Sequence, residues 1–245
     1  MKTMKKKIAF IYRSRLSTFK RNDLELLRRN FIVKTLHYRG IFRSIVSIFR
    51  LIYWSDLTYS WFAGEHAFIA ALLTKVLRKK SIVVAGGGDV ARIPEMQYGG
   101  MLHPFTRWIV KNAISHSTKV LAVSQFNKKE ILKYVDKNKV ELVYNGIDCD
   151  NIKPKGKKED LVITVTSGTR LLLKGIPTFI EVAKLLPNTT LLIIGIEKGR
   201  DFDDIKASST PNVIVTNYMP LNKLKEYYQK ANVYCQLSYY ETFGM

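Results

Sequence analysis

Three short stretches hold the residues best suited to chemistry. The first, Ser167 to Gly175, carries Arg170 and Lys174 between Gly168 and Gly175. Arginine offers a planar fork of donors and lysine a mobile point charge, a combination that suits phosphate oxygens. The second runs from Ser238 to Met245 and holds Glu241, Phe243 and Gly244 directly after the apolar run Val233–Leu237. A carboxylate, an aromatic ring and a glycine leaving a buried strand form a loop of the kind on which α/β proteins bind ligands. A glycine there lets backbone N–H groups approach a ligand closely. The third is Gly86-Gly87-Gly88-Asp89, after the apolar run Ser81–Ala85. It formally contains G-x-G-x-x-A, ending at Ala91, but Pro94 interrupts the helix that should open there. No acidic residue lies about 20 positions on to take a ribose, so the dinucleotide-binding reading is rejected. The loop then either lines a cleft with Asp89 facing a ligand or is a tight turn capped by Asp89.

The elements that must position these stretches alternate. Strands are predicted at Ile8–Tyr12, Phe31–Tyr38, Thr58–Ala63, Ser81–Ala85, Lys119–Val123 and Val140–Tyr144. Between them, helical spacing predicts Asn22–Asn30 with Asn22 as cap, Glu65–Lys80, Phe105–Ser117, and Gln125–Asp136 capped by Ser124. The order implies a parallel sheet with helices on both faces. Asp148–Asp160 is polar, charged and holds Pro154 and Gly156, a linker composition. Beyond it the alternation restarts, with strands at Leu161–Thr166, Thr190–Gly195, Asn212–Thr216 and Val233–Leu237. The intervening helices are predicted at Pro177–Leu186, Asp201–Ala207 and Leu221–Lys230. Two α/β domains follow, residues 1–150 and 151–245. The second is expected to be incomplete, because it closes on a strand with no helix to cover it.

Composition narrows the partners. The 245 residues carry a formal net charge of +20. Residues 1–150 hold 27 Lys+Arg against 11 Asp+Glu, and residues 151–245 hold 13 against 9. The excess, +16 against +4, favours polyanions, anionic lipid headgroups or phosphorylated substrates. Within the first domain, Arg39 to Trp54 is mostly apolar, with Arg39, Arg43 and Arg50 spaced to share one side of a helix. Such a helix either packs in the core with its arginines reaching water or lies in an anionic membrane interface. Cys149 and Cys235 are the only cysteines, and the four histidines lack metal-ligand spacing, so no metal site is expected. Met1–Lys7 is basic like a signal-peptide start, but the apolar run behind it is too short for one. No window is apolar enough for a membrane span. The expectation is a cytoplasmic protein, peripheral at the inner face of the cell membrane.

Taken together, these segments resemble a known family. The residues Val123-Ser124-Gln125 leading to Lys129, then Val143 to Asp148, a linker, and the Arg170/Lys174-Gly175 loop occur in that order. Leu192-Ile193-Ile194-Gly195, Asn212 to Pro220, Tyr228 to Val233 and Ser238-x-x-Glu241-x-Phe243-Gly244 follow. This order is similar to that of the retaining glycosyltransferases of family 4, most specifically across residues 120–245. The resemblance implies the GT-B architecture of two facing Rossmann-like domains, with the acceptor in the first and a nucleotide-sugar donor, such as a UDP- or GDP-sugar, mainly in the second. It implies that Arg170 and Lys174, with Gly168 in the same loop, meet the donor diphosphate. It makes Glu241 the catalytic-site carboxylate that accepts hydrogen bonds from sugar hydroxyls, the first glutamate of an E-x7-E motif. Phe243, Gly244 and Met245 would present backbone N–H groups to the donor. Gly86, Gly87, Gly88 and Asp89 would face the acceptor side, with Asp89 a second catalytic candidate. No metal and no cofactor are implied.

The second glutamate of that motif falls eight positions after Glu241, beyond Met245. The chain as given is therefore expected to be a fragment with impaired turnover. Its acceptor would be a saccharide or a lipid-linked one, given the basic first domain. The rival reading is a non-catalytic module of the same descent that holds a membrane surface, a polyanion or a partner protein. Nucleic-acid binding is the weakest reading, since charge alone speaks for it.

Overall fold

The structure, a computed structural model, describes residues 5–147, 153, 156–166 and 170–244. The chain divides into two compact units, Met1–Gly146 and Ile147–Gly244.

In the first unit the elements run β1 (Lys7–Tyr12), α1 (Thr18–Asn30), β2 (Ile32–His37), α2 (Ile41–Trp54), β3 (Leu57–Trp61) and α3 (Glu65–Val76). They continue as β4 (Lys80–Ala85), α4 (Pro104–His116), β5 (Lys119–Ala122), α5 (Gln125–Leu132) and β6 (Val140–Leu142). The strands form one parallel sheet in the order β2-β1-β3-β4-β5-β6. Side chains alternate between the faces of a strand, so a sheet covered on both sides buries nearly every residue of its central strands. The strand β1 shows this, with Ile8, Ala9, Phe10 and Ile11 all buried. On one face Ile11 packs with Ile48 and Ile52 of α2 and Ala70 of α3. That layer continues into Ala67, Val110, Ala113, Ile114 and Ile131 against Val83, Ala85, Val120 and Ala122. On the other face Phe10 stacks on Tyr59 with ring centroids 5.6 Å apart. There Asp23 of α1 accepts hydrogen bonds from Tyr59 Oη (2.7 Å) and Trp61 Nε1 (3.0 Å).

The second unit repeats the plan with β7 (Glu159–Val165), α6 (Ile176–Leu185), β8 (Thr190–Ile194), α7 (Arg200–Ser208), β9 (Val213–Thr216), α8 (Leu221–Lys230) and β10 (Ala231–Tyr234). Its four parallel strands are ordered β10-β7-β8-β9. The two faces are legible in β8 alone. Leu191 and Ile193 pack with Ile176, Phe179 and Ile205, while Leu192 and Ile194 pack with Leu161, Ile163 and Leu224.

Several element boundaries differ from the sequence reading. The first helix starts at Thr18, a turn before Asn22, so Asn22 is no cap; its Nδ2 donates to Gly146 O instead. Helix α3 stops at Val76 rather than Lys80, and Arg78 just beyond it adopts a left-handed φ of +53° that ends the helix. The last strand is Ala231–Tyr234, not Val233–Leu237, and it is not buried: at the sheet edge only Ala231 is covered. Ser124 does cap α5, its Oγ accepting from Asn127 N. Of the predicted linker, residues 148–152 and 154–155 lie outside the described residues, and Glu159-Asp160 open β7.

One buried imidazole makes the first unit sensitive to acid. His66, 1% exposed in the first turn of α3, bonds Trp61 O through Nε2 at 2.8 Å, so Nε2 carries the hydrogen. Its Nδ1 meets no hydrogen-bond partner. Burial pushes its pKa from 6.5 down to about 4; Arg13 and Lys20 push the same way, while the Trp61 carbonyl and Glu65 oppose them. The unfolded chain therefore takes up this proton at a higher pH than the folded one. The contribution is fully present above about pH 6.5 and is lost as pH falls toward about 4, by up to roughly 3 kcal/mol. Denaturant titrations across that range should show the slope, and His66→Gln should flatten it. A slope that the substitution leaves unchanged would contradict the assignment.

Candidate functional site

Sheet order locates the candidate site of the second unit. The chain passes from β7 through α6 to β8 on one side, and β10 returns to the other side of β7. Strand order reverses there, and open α/β sheets bind ligands at the carboxyl ends of the strands flanking such a reversal. The loops leaving β7 and β10 are the two stretches that carry Arg170, Lys174 and Glu241.

The two loops interlock through three contacts. Lys174 Nζ donates to Glu241 Oε2 at 2.8 Å, with both side chains about 30% exposed (29% and 31%). Tyr239 N donates to Leu173 O at 2.9 Å. Gly175, at φ +70°, lies so close to the second loop that a Cβ would sit 1.9 Å from Leu237 O. Only glycine fits both the left-handed backbone and the approach. The first loop also closes on itself, with Lys174 N bonded to Arg170 O and Gly175 N to Leu172 O, both at 3.0 Å. Gly175 is at once the N-cap of α6, and no side chain caps that helix. In its first turn Ile176 N is bonded to Leu171 O and Pro177 has no N–H, so the Thr178 amide and the positive end of the helix dipole are what the start of α6, next to Lys174 in the chain, offers an anion. Glu241 Oε1 accepts from Thr242 N at 3.1 Å, and Gly244 is exposed, with room for a Cβ at an ordinary 3.7 Å from Glu241 Cγ. Phe243 is half-buried and Arg170 exposed. Gly168 and Met245 lie outside the described residues.

The glycine-rich loop of the first unit has a different design. Asp89 Oδ2 accepts from Ala63 N at 2.7 Å, and Oδ1 from Gly87 N at 2.9 Å. Burial raises its pKa, and the amides of Ala63, Gly87, Asp89 and Gly86 oppose that rise. With both oxygens engaged by backbone, this geometry favours the capped turn: Asp89 ties the loop after β4 to the loop after β3. Gly86 packs on Phe62 so closely that a Cβ would lie 2.2 Å from the ring, and Gly88 O accepts from Gly100 N.

Lys20 was not legible as a site residue. It is 1% exposed, and its ammonium donates to Arg13 O, Ser14 Oγ and Arg15 O at 3.2, 2.9 and 2.6 Å. It thereby holds the loop after β1, where the order of the first sheet reverses between β1 and β3. Burial lowers its pKa. Nothing in its spacing separates it from the many surface lysines. Among the described residues, no cluster of three His, Cys, Asp or Glu side chains could hold a metal ion.

Comparison with known families decides the lineage. Glycosyltransferase Family 4 matches residues 11–151, more than half of the chain, and Glycosyl transferases group 1 matches residues 148–245. The chain belongs to glycosyltransferase family 4. A sucrose-phosphate synthase from Thermosynechococcus elongatus superposes with a TM-score of 0.73 at 14% identity, over 98% of this chain and 77% of that one. The S. aureus MnaA–UDP structure gives 0.62 at 14% identity, over 94% and 73%. An α-glucosyltransferase in complex with UDP and a 13-mer DNA gives 0.63 at 11% identity, over 98% and 73%. At such identities the likeness establishes the fold, which is GT-B-like with a smaller second sheet. No curated protein matches the sequence.

In this glycosyltransferase the contact at Gly175 is the simplest to test. Gly175→Ala meets both a disfavoured φ and the Leu237 carbonyl, which should cost roughly 1–3 kcal/mol and lower the melting temperature by several degrees. Gly156→Ala, at φ +75° with open space around its Cβ, is the matched control for the backbone term alone. Equal losses for the two variants would show that the close approach to Leu237 contributes nothing.

Proposed function

We propose that the protein transfers a sugar from a nucleotide-sugar donor to a saccharide or lipid-linked acceptor, with retention of anomeric configuration. The observation that carries this reading is the Lys174–Glu241 pair, 2.8 Å apart beside the N-terminus of α6 at the strand reversal of the second unit. A nucleotide sugar brings a diphosphate and a set of hydroxyls side by side. The cation and the positive end of the helix dipole suit the phosphate oxygens, and the carboxylate suits the hydroxyls.

Transfer builds negative charge on the departing diphosphate. Groups fixed in advance where charge develops lower the barrier most. In this proposal Lys174, Arg170 and the positive end of the α6 dipole meet that charge, and Glu241 orients the sugar. The amides of Phe243 and Gly244 add donors on the same loop, and residues 1–150 supply the acceptor side. The glycine-rich loop, braced by Asp89, shapes that side rather than handling a proton. The family match and the UDP-bound relatives of the same fold support the donor class.

A thermal-shift series with UDP- and GDP-sugars tests the donor. At a hundredfold excess over Kd the matched donor should add about 2.7 kcal/mol of stability, and RNA should add none. With that donor, Lys174→Gln should lower kcat/KM by about 10²-fold, while a chelator leaves the rate unchanged. NMR of the product should show the anomeric configuration of the donor. A shift with RNA alone, or an inverted product, would overturn the proposal.

A further inference from the structure

Helix α2 presents three stripes, and only one of them serves the fold. Residues four and three apart share a helix face. Ser44, Ile48 and Ile52 form the buried stripe. Phe42, Val46, Phe49 and Tyr53 form a second, turned to solvent, with Phe42 97% and Tyr53 70% exposed. Arg43, Ser47, Arg50 and Trp54 form the third, on the flank of the second. Part of that flank lines an open groove of about 560 Å³ against the edge strand β2. Arg28, Lys34 and Arg50 line this groove together with Leu51 and Trp54, and no acidic residue does. Lys34 Nζ lies 4.4 Å from the centre of the Trp54 ring, and Lys7 Nζ 5.7 Å from it.

A solvent-facing row of two phenylalanines, a valine and a tyrosine is more than the scattered apolar exposure of an ordinary surface. Charge identifies the occupant. From Arg39 to Trp54 the chain holds three arginines and no acid. A second copy meeting this face would bring the same cations against themselves, which disfavours a self-complementary dimer. A nucleic acid would satisfy the cations and leave the aromatic row in water. An anionic bilayer satisfies both stripes at once, with phosphates beside the groove and acyl chains under the aromatic row.

We propose that the outer face of α2 and the groove beside it dock the protein on an anionic lipid bilayer. Phe42, Val46, Phe49 and Tyr53 enter the headgroup–acyl boundary, while Arg43, Arg50, Lys34 and Arg28 hold lipid phosphates. This docking belongs to the first unit and stands whether or not the second binds a nucleotide sugar.

Vesicle co-sedimentation of the full chain tests it, comparing pure phosphatidylcholine with vesicles of about one-third phosphatidylglycerol. Binding should appear with the anionic vesicles only and weaken as salt is added. Phe42→Ser with Phe49→Ser, at positions too exposed to alter the fold, should weaken partitioning about tenfold or more. Arg43→Gln and Arg50→Gln should each cost about fivefold, the weight of one cation near a charged bilayer. Equal binding to both vesicle types would overturn the proposal, as would full binding by the double phenylalanine variant. Self-association without vesicle binding, abolished by the same variant, would overturn it and assign the face to a second copy.

Discussion

The candidate donor site depends on one constraint, the interlock of the loops that leave β7 and β10. It starts in the sheet, where β10 pairs in parallel with β7 and Cys235 N continues the ladder to Ile163 O at 2.8 Å. The chain then leaves the sheet, and Tyr239 N finds Leu173 O instead of a strand partner. Gly175 is the point at which backbone meets backbone, and Lys174 and Glu241 meet as a consequence. Without that crossing, a lysine and a glutamate 67 residues apart would have no reason to share a site.

The ion pair itself adds little to stability. Exposed pairs contribute about 0–1 kcal/mol, and these two side chains are about 30% exposed. Stability in the second unit rests on the two apolar layers either side of β7 and β8. The pair is better understood as positioning: it holds two opposite charges where a ligand with anionic and hydroxyl groups can exchange for each. A half-buried setting strengthens such exchanges relative to water without the full desolvation cost of a deep site.

Much of this was legible in the sequence, and the exceptions have physical causes. Continuous apolar runs located nearly every strand, because central strands must be apolar on both faces. Ser124 was legible as a cap because its partner is three residues away. The Asn22 cap failed because several polar residues precede α1, and chain position alone cannot rank them. The run Val233–Leu237 reads as buried, yet β10 is an edge strand whose apolar residues remain partly in solvent. The roles of Lys20 and Asp89 come from carbonyls and amides of other segments, which no local pattern encodes. Helix α2 carried a two-way ambiguity, and the structure buries Ser44, Ile48 and Ile52 in the core while leaving Phe42, Val46, Phe49 and Tyr53 exposed on another stripe.

In the proposed site Lys174 is a phosphate ligand held in readiness by Glu241. Calorimetric titration with UDP and GDP tests it most directly, because the two residues should act with opposite sign. For the nucleotide that binds, Lys174→Gln should weaken binding about tenfold, whereas Glu241→Gln, by freeing the lysine of its partner, should leave binding intact or tighten it. Equal weakening by both substitutions, or no change with either, would contradict this role of Lys174.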